Sequence, residues 1–474
     1  MRGLYRKGTR SECDNSGVAS STPSDRRSAV FRRSFRKDFP QAVRGEGVYI
    51  FDSDGNQYLD LAGSAAVNFI GHGVPEISAA MAKQAAKLEF VHTSQFTTPV
   101  AEDYARELLA FAGENFRGGA VYFTSGGSES IETALKLARQ YQVEIGEGRR
   151  YQILSRQQSY HGSTLGALSV SGNKRRRILY LPMVREFPHI GMPYCYRCNF
   201  DCTDGCRNCG QQYAAELEQA IEASKGEAAG FIFEPVSGAT LGAVVPPPGY
   251  LQAIAEICRR NEVLLIADEV MTGMGRTGRN FAVEHWKVAP DILVAAKGLS
   301  SGYAPLGAVI ASKKVVDAIA AGSGAFLHGF TYNAHPISLA AGRAVLQRIR
   351  KKNLVESADS DRAGTAAAKF KQGLETLLGQ DCVGDVRGIG LLWGVEFVAD
   401  KGTKRSFPPE QNFSARVASF ALKRGLLVYP MQGSVDGVSG DHLLLAPPAI
   451  ITEEQIGWSV KQLADAISDA KTQH

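Results

Sequence analysis

No stretch of the 474-residue chain approaches 18 consecutive apolar residues, so no segment reads as a membrane-spanning helix. Glycine and proline are not over-used: 50 Gly and 19 Pro, without a period, exclude a collagen-like repeat. Nor is the chain short of apolar residues. It is 44% hydrophobic and 21% charged, which excludes a mainly disordered chain and allows a sizeable core. No internal repeat is visible. Acidic residues are scarce only at one end. Residues 1–37 carry ten Lys/Arg against three Asp/Glu, whereas the remainder holds 43 basic and 45 acidic residues. The body therefore offers no basic field for nucleic acid. Its one basic cluster, Lys174-Arg175-Arg176-Arg177, has no interleaved aromatics and reads as a solvated loop.

The basic segment lacks the 7–15-residue apolar core of a secretory signal. Its arginines give it some transit-peptide character, which Glu12, Asp14 and Asp25 oppose. Residues 1–37 are read as a disordered tail on a cytoplasmic protein, with organelle targeting as the alternative. Five of the eight cysteines fall in one segment: Cys195, Cys198, Cys202, Cys206 and Cys209. Without a secretory signal, disulfides are not expected. Two readings stay open, a structural metal on the paired C-x2-C motifs or reduced thiols in an insertion, and no metal ligand is assigned.

From residue 38 short apolar runs alternate with helical patterns, which predicts α/β architecture with a mostly parallel sheet. Residues 47–52 and 57–60 read as strands around the turn 53–56. Val263–Asp268, Gly230–Glu234 and Ile292–Ala296 are near-continuous apolar runs, the pattern of parallel strands buried on both faces. The expected division is residues 38–95 as the N-terminal part of a small domain and 96–344 as a large domain with a Cys-rich insertion at 187–210. Residues 345–474 complete the small domain as an α+β unit.

Polar residues stand at the C-terminal ends of these runs, where open α/β sheets bind ligands. Ser125-Gly126-Gly127-Ser128 precedes a helix and could hold a phosphate on free N–H groups; a plain tight turn is the alternative. Asp268 ends one apolar strand, and Lys297 follows another. Desolvation would lower the pKa of such a lysine and make it a better nucleophile toward a carbonyl. A phosphate turn, a carboxylate and a desolvated lysine are the three requirements of pyridoxal phosphate. Gly273-Met274-Gly275-Arg276-Thr277-Gly278 also fits a dinucleotide fingerprint. No clean βαβ unit with a following acidic residue accompanies it, so that reading is set aside.

Three further stretches carry a resemblance: residues 266–278, Lys297 to Ala308, and His328-Gly329-Phe330-Thr331-Tyr332. With these the chain resembles the class III pyridoxal-phosphate aminotransferases of fold type I. The resemblance implies a large domain with a mostly parallel central sheet and a smaller domain drawn from both chain ends. It also implies roles. Lys297 is the Schiff-base lysine and proton shuttle, and Asp268 pairs with the pyridinium nitrogen. Gly126, Gly127 and Ser128 hold the phosphate. Tyr160 and Val270 cover the two ring faces, and Glu234 belongs to the cofactor site. Thr331 reaches the neighbouring subunit of a homodimer with shared active sites, and Arg387 binds a substrate carboxylate.

Two departures from the family pattern stand out. Ala239 replaces the glutamate that gates the arginine in ornithine- and GABA-type members, and the usual amine-pocket Trp is absent from residues 63–68. The implied activity is a ping-pong transfer from an ω- or β-amino acid or amine to a keto acid such as pyruvate or 2-oxoglutarate. With Ala239 in place, no carboxylate is expected to hold Arg387 withdrawn. Acetylornithine- or ornithine-type transfer, aminomutation and decarboxylation are the alternatives among enzymes; a metal-binding interaction protein is the alternative outside them.

Overall fold

The computed structural model describes residues 28–35, 37–198, 200, 206 and 208–472. The expectations for residues 1–27 therefore lie outside the described residues. Chain segment 1–41 separates from residues 42–474 as its own unit. Its described part carries an edge-to-face pair, Phe31 and Phe35, at 5.0 Å.

The described residues of 42–474 form fifteen strands in three sheets. The first strands are β1 (Ala42–Glu46), β2 (Tyr49–Asp52), β3 (Gln57–Asp60), β4 (Ala120–Thr124) and β5 (Gln152–Arg156). Next come β6 (His189–Ile190), β7 (Ala228–Phe233), β8 (Leu264–Asp268), β9 (Ile292–Ala295) and β10 (Gly307–Ala311). The last are β11 (Val383–Ile389), β12 (Leu392–Phe397), β13 (Leu426–Leu427), β14 (Tyr429–Gln432) and β15 (Asp441–Leu445).

The central sheet has the order β4-β10-β9-β8-β7-β5-β6. Every neighbour pair is parallel except the two made by β10, so the mostly parallel sheet expected from the apolar runs is present. All residues of β7, β8, β9 and β10 are buried, which is why these runs are apolar without alternation. Because β7, β8 and β9 run parallel side by side, their C-terminal ends bring Glu234, Asp268 and Lys297 to one edge. The helix Gly127–Glu144 packs Ile131, Ala134, Leu137 and Ala138 against the sheet and aims its N-terminus at the same edge.

A second sheet has the order β1-β2-β3-β13, so a strand from beyond residue 420 joins strands from before residue 61. Its hairpin turn is held by Asp52, which accepts from the N–H groups of Asp54 and Asn56 and from the Tyr58 hydroxyl at 2.7 Å. These donors hold the Asp52 carboxyl below its usual range, the Asn56 side chain foremost. The third sheet, β11-β12-β15-β14, is antiparallel throughout.

The dinucleotide-like glycines make turns instead of a phosphate loop. Within them Arg276 is buried and donates to the carbonyls of Ala446, Pro447 and Asn68, at 3.0, 2.5 and 2.9 Å. It also lies 5.0 Å from the Phe69 ring centroid. Arg276 thus bolts this turn to two distant segments, and burial pushes its pKa down to about 9.

Candidate active site

A cavity of about 490 Å³ opens at the carboxyl edge of the central sheet. Eight of the ten candidate residues line it: Gly126, Gly127, Ser128, Tyr160, Glu234, Asp268, Val270 and Lys297. Thr331 and Arg387 do not. Thr331 is exposed at the surface.

Lys297 follows β9 in a short 3-10 turn with φ of +44°, a left-handed conformation that costs an L-residue strain and recurs at functional sites. It forms no ion pair among the described residues. Burial pushes its amine down to about 8, although Asp268 and Glu234 pull the other way. Asp268, the last residue of β8, is held on both oxygens. One accepts from the Val270 N–H at 3.1 Å, and the other lies 2.7 Å from His161 Nδ1. Glu234 accepts from the Gly238 and Tyr160 N–H groups at 2.9 and 3.4 Å. Burial nevertheless raises its pKa, with the charge of Asp268 adding to the effect.

At the fourth strand end, the helix beginning at Gly127 has no side-chain cap, so its first amides have no intrahelical acceptor. A Cβ on Gly126 would project into open space in the cavity, while one on Gly127 would sit 3.2 Å from Val270. The Ser128 hydroxyl accepts from the Ser163 N–H at 3.0 Å. These residues fit pyridoxal phosphate: an amide cradle for an anion, a fixed carboxylate, and a desolvated amine without a partner.

The opposite wall comes from two loops. Gly63 to Ala66 run left-handed, with φ of 50°, 66° and 60° at Ser64, Ala65 and Ala66. Three such non-glycine residues cost about 1–2 kcal/mol each. The Asp60 carboxylate offsets this by accepting from the Ser64 N–H and hydroxyl, and Val67 is thereby delivered to the cavity. Gly63 is required there, because a Cβ would lie 2.1 Å from the Ala446 carbonyl. The second loop carries Val236 and Ala239.

Arg387 corrects one expectation. Ala239 was expected to leave it without a holding carboxylate, yet two carboxylates hold it. Its Nη1 lies 2.9 Å from Asp385 and 2.8 Å from Glu396, and its guanidinium stands 4.8 Å from the Tyr194 ring. Its Nη2 donates to the Leu241 carbonyl. Strand register explains the cluster. Asp385 on β11 pairs directly with Glu396 on β12, and Arg387, two residues along, shares the face of Asp385. Tyr194 and Arg197 also contact Glu396, Arg197 at 2.7 Å. His442 on β15 lies opposite Glu396 and approaches the Ala239 carbonyl at 2.8 Å. Burial and the charge of Arg387 push His442 down to about 3. Arg387 and His442 therefore clamp the back of the loop whose front is the cavity wall.

Sequence reasoning missed His161 as the partner of Asp268, and it missed the Asp385–Glu396 lock. It also misplaced part of the basic cluster. Residues 174–177 form a short helix, and Arg176 lies over the Tyr160 ring at 4.3 Å, beside the cavity.

Such a sheet edge, where a buried lysine, a fixed carboxylate and an uncapped helix start converge, suits a pyridoxal-phosphate enzyme. The chain belongs to the class III aminotransferases: the family model described as "Aminotransferase class-III" matches residues 33–467. It is 41% identical over 434 residues to the uncharacterized aminotransferase YodT of Bacillus subtilis, covering 91% of this chain and 95% of that protein. It is 33% identical to a probable mitochondrial gamma-aminobutyrate transaminase 3 of Oryza sativa subsp. indica, covering 90% and 81%. The crystal structure of a thermostable (S)-enantioselective omega-transaminase from Thermomicrobium roseum superposes with a TM-score of 0.85 at 37% identity. It covers 92% of this chain and 94% of that one. The fold is therefore that of the fold type I transaminases, and the cofactor is pyridoxal phosphate.

Proposed function

We propose that this aminotransferase takes its amino group from an ω- or β-amino acid or a simple amine and gives it to a small keto acid. One observation carries the reading: among the described residues no arginine lines the cavity, because Arg387 is tied to Asp385 and Glu396 behind the Ala239 loop. A donor without an α-carboxylate meets the apolar surface of Val67, Val236 and Ala239 and needs no guanidinium. A keto acid must draw Arg387 out of its lock to gain a charge-assisted pair.

The cofactor, when bound, supplies an electron sink for the carbanion. The residues named here do the rest. Lys297 would hold it through its side-chain amine and would carry the proton at the substrate carbon on the same nitrogen. Asp268, oriented by His161, would keep the proton on the pyridine nitrogen. The N–H groups of Gly127 and Ser128 and the Ser128 hydroxyl bind the phosphate, with Gly126 leaving room for it. Tyr160 and Val270 confine the ring, and Glu234 fixes the Tyr160 backbone beside it.

We further propose a homodimer in which Thr331 serves the partner's cavity. Thr331 is exposed beside Leu327 and Tyr332, which are 82% and 60% exposed and give such a contact apolar area to bury. The pairing of β13 with β3 supports a small domain drawn from residues 38–95 and 345–474 around a large one of 96–344. The lack of a disulfide among the described cysteines suits a cytoplasmic location.

Half-reaction kinetics test the substrate reading. Arg387→Ala should weaken keto-acid affinity by about 10- to 150-fold, the worth of a charged hydrogen-bonded pair. The half-reaction with a simple amine should change far less. Equal losses in both would defeat the reading.

A further inference from the structure

The Cys-rich segment is used by nothing described above. It leaves β6 and returns at the N-terminus of the helix Cys209–Ala223. Within it the Sγ atoms of Cys195, Cys206 and Cys209 all lie within 4.8 Å of one another. Cys198 stands three residues from Cys195, and its sulfur lies 3.6 Å from the hydroxyl of Tyr213, one turn along the helix that Cys209 begins. The two C-x2-C pairs, 195/198 and 206/209, thus meet at the start of this helix. Cys202 lies outside the described residues.

We propose that Cys195, Cys198, Cys206 and Cys209 form a structural zinc site. A tetrahedral ion with Zn–S bonds of about 2.3 Å places its sulfurs about 3.8 Å apart. The three measured thiols need to close by no more than about 1 Å to reach that spacing. They are too close together to enclose a cluster carrying its own sulfides. On binding, four thiols release their protons to solvent and four Zn–S bonds form, with no change in oxidation state. All-sulfur coordination leaves no open position, so the ion is structural.

The position of the knot gives it a consequence. Cys195 is flanked by Tyr194 and followed by Arg197, the two residues that hold Glu396 from the insertion side. Arg197 also donates to the Lys404 carbonyl at 2.9 Å, and Lys404 in turn to the Tyr196 carbonyl at 2.7 Å. Zinc would fix the backbone on which Tyr194 and Arg197 stand, and through Glu396 the resting place of Arg387. The metal site itself does not depend on the substrate reading. Only this last link does.

The test uses the untagged full-length enzyme, purified without chelator under reducing conditions. Elemental analysis should return about one zinc per chain. Replacement by cobalt should give thiolate-to-metal charge transfer and tetrahedral d–d absorption. Cys206→Ser and Cys209→Ser should each lower bound metal to below about a tenth of an equivalent. If these variants fail to fold, wild-type protein titrated with a chelator should lose its zinc and unfold at a lower temperature. Less than about a tenth of an equivalent after incubation with added zinc would overturn the proposal. So would zinc retained by both variants, or iron with acid-labile sulfide in its place. If the zinc is found but its removal leaves the keto-acid KM unchanged, the link to Arg387 fails and the site stands.

Discussion

Two buried groups of charges sit on opposite sides of the Ala239 loop, and they are built in opposite ways. Around Arg387 each charge is met by its opposite: Asp385 and Glu396 on the arginine, Arg197 and Tyr194 on Glu396. Around Lys297 the pairing is left incomplete. Asp268 has His161, but among the described residues Lys297 has no ion-pair partner and Glu234 relies on backbone N–H groups. Burial then falls directly on the lysine, whose amine is held down to about 8. Complete pairing makes a fixed support, since losing one partner strands a buried charge. Incomplete pairing keeps a group ready to react.

The contrast fails first if Lys297 can be removed without loss of chemistry. Lys297→Ala deletes both the covalent anchor and the proton carrier, each worth several powers of ten. Turnover should fall at least about 10⁴-fold while the circular dichroism spectrum is kept. Residual transamination above that level would move the chemistry to another residue. Asp268→Asn comes next. A neutral side chain cannot hold the pyridine proton, so the rate should drop about 10²- to 10³-fold with the cofactor still bound. Turnover equal to wild type would reduce the carboxylate to a support for the Val270 N–H.

The reverse pattern is expected on the other side of the loop. Glu396→Gln keeps the volume but withdraws the charge that faces Arg387 and Arg197. It should cost about 2–3 kcal/mol of stability, seen as a lower thermal midpoint. The half-reaction with a simple amine should stay within about twofold of wild type, because Glu396 touches no residue that lines the cavity. A large defect in the amine half-reaction with unchanged stability would show that the cluster is chemical after all.

The two groups also differ in how far the sequence reveals them. Glu234, Asp268 and Lys297 each close an apolar run, so parallel strands dictate both their burial and their shared edge. The Arg387 lock depends on the register of β11 with β12 and on a loop from a different sheet. Nothing in the local pattern around Asp385 or Glu396 announces that pairing. The same holds for Arg176, whose place over Tyr160 is set by the turn that precedes it and not by the basic run it belongs to. Sequence pattern reads elements and their ends well, and it reads contacts between distant elements poorly.

The smallest effect tests the incomplete pairing itself. A lysine with an ordinary pKa near 10.4 is almost wholly protonated across the neutral range. Its free-amine fraction would rise about tenfold per pH unit up to pH 10. Held at about 8, Lys297 should behave differently. The free amine increases from roughly a tenth at pH 7 to about half at pH 8 and then levels off. Since burial favours the neutral form, the sign is a gain in nucleophile as pH rises toward 8. The rate at which cofactor-free enzyme takes up pyridoxal phosphate should therefore rise about fivefold between pH 7 and pH 8 and flatten above pH 9. A rate still climbing tenfold per unit beyond pH 9 would mean that Asp268 and Glu234 restore to Lys297 the charge that burial takes away. The contrast with the fully paired Arg387 cluster would then disappear.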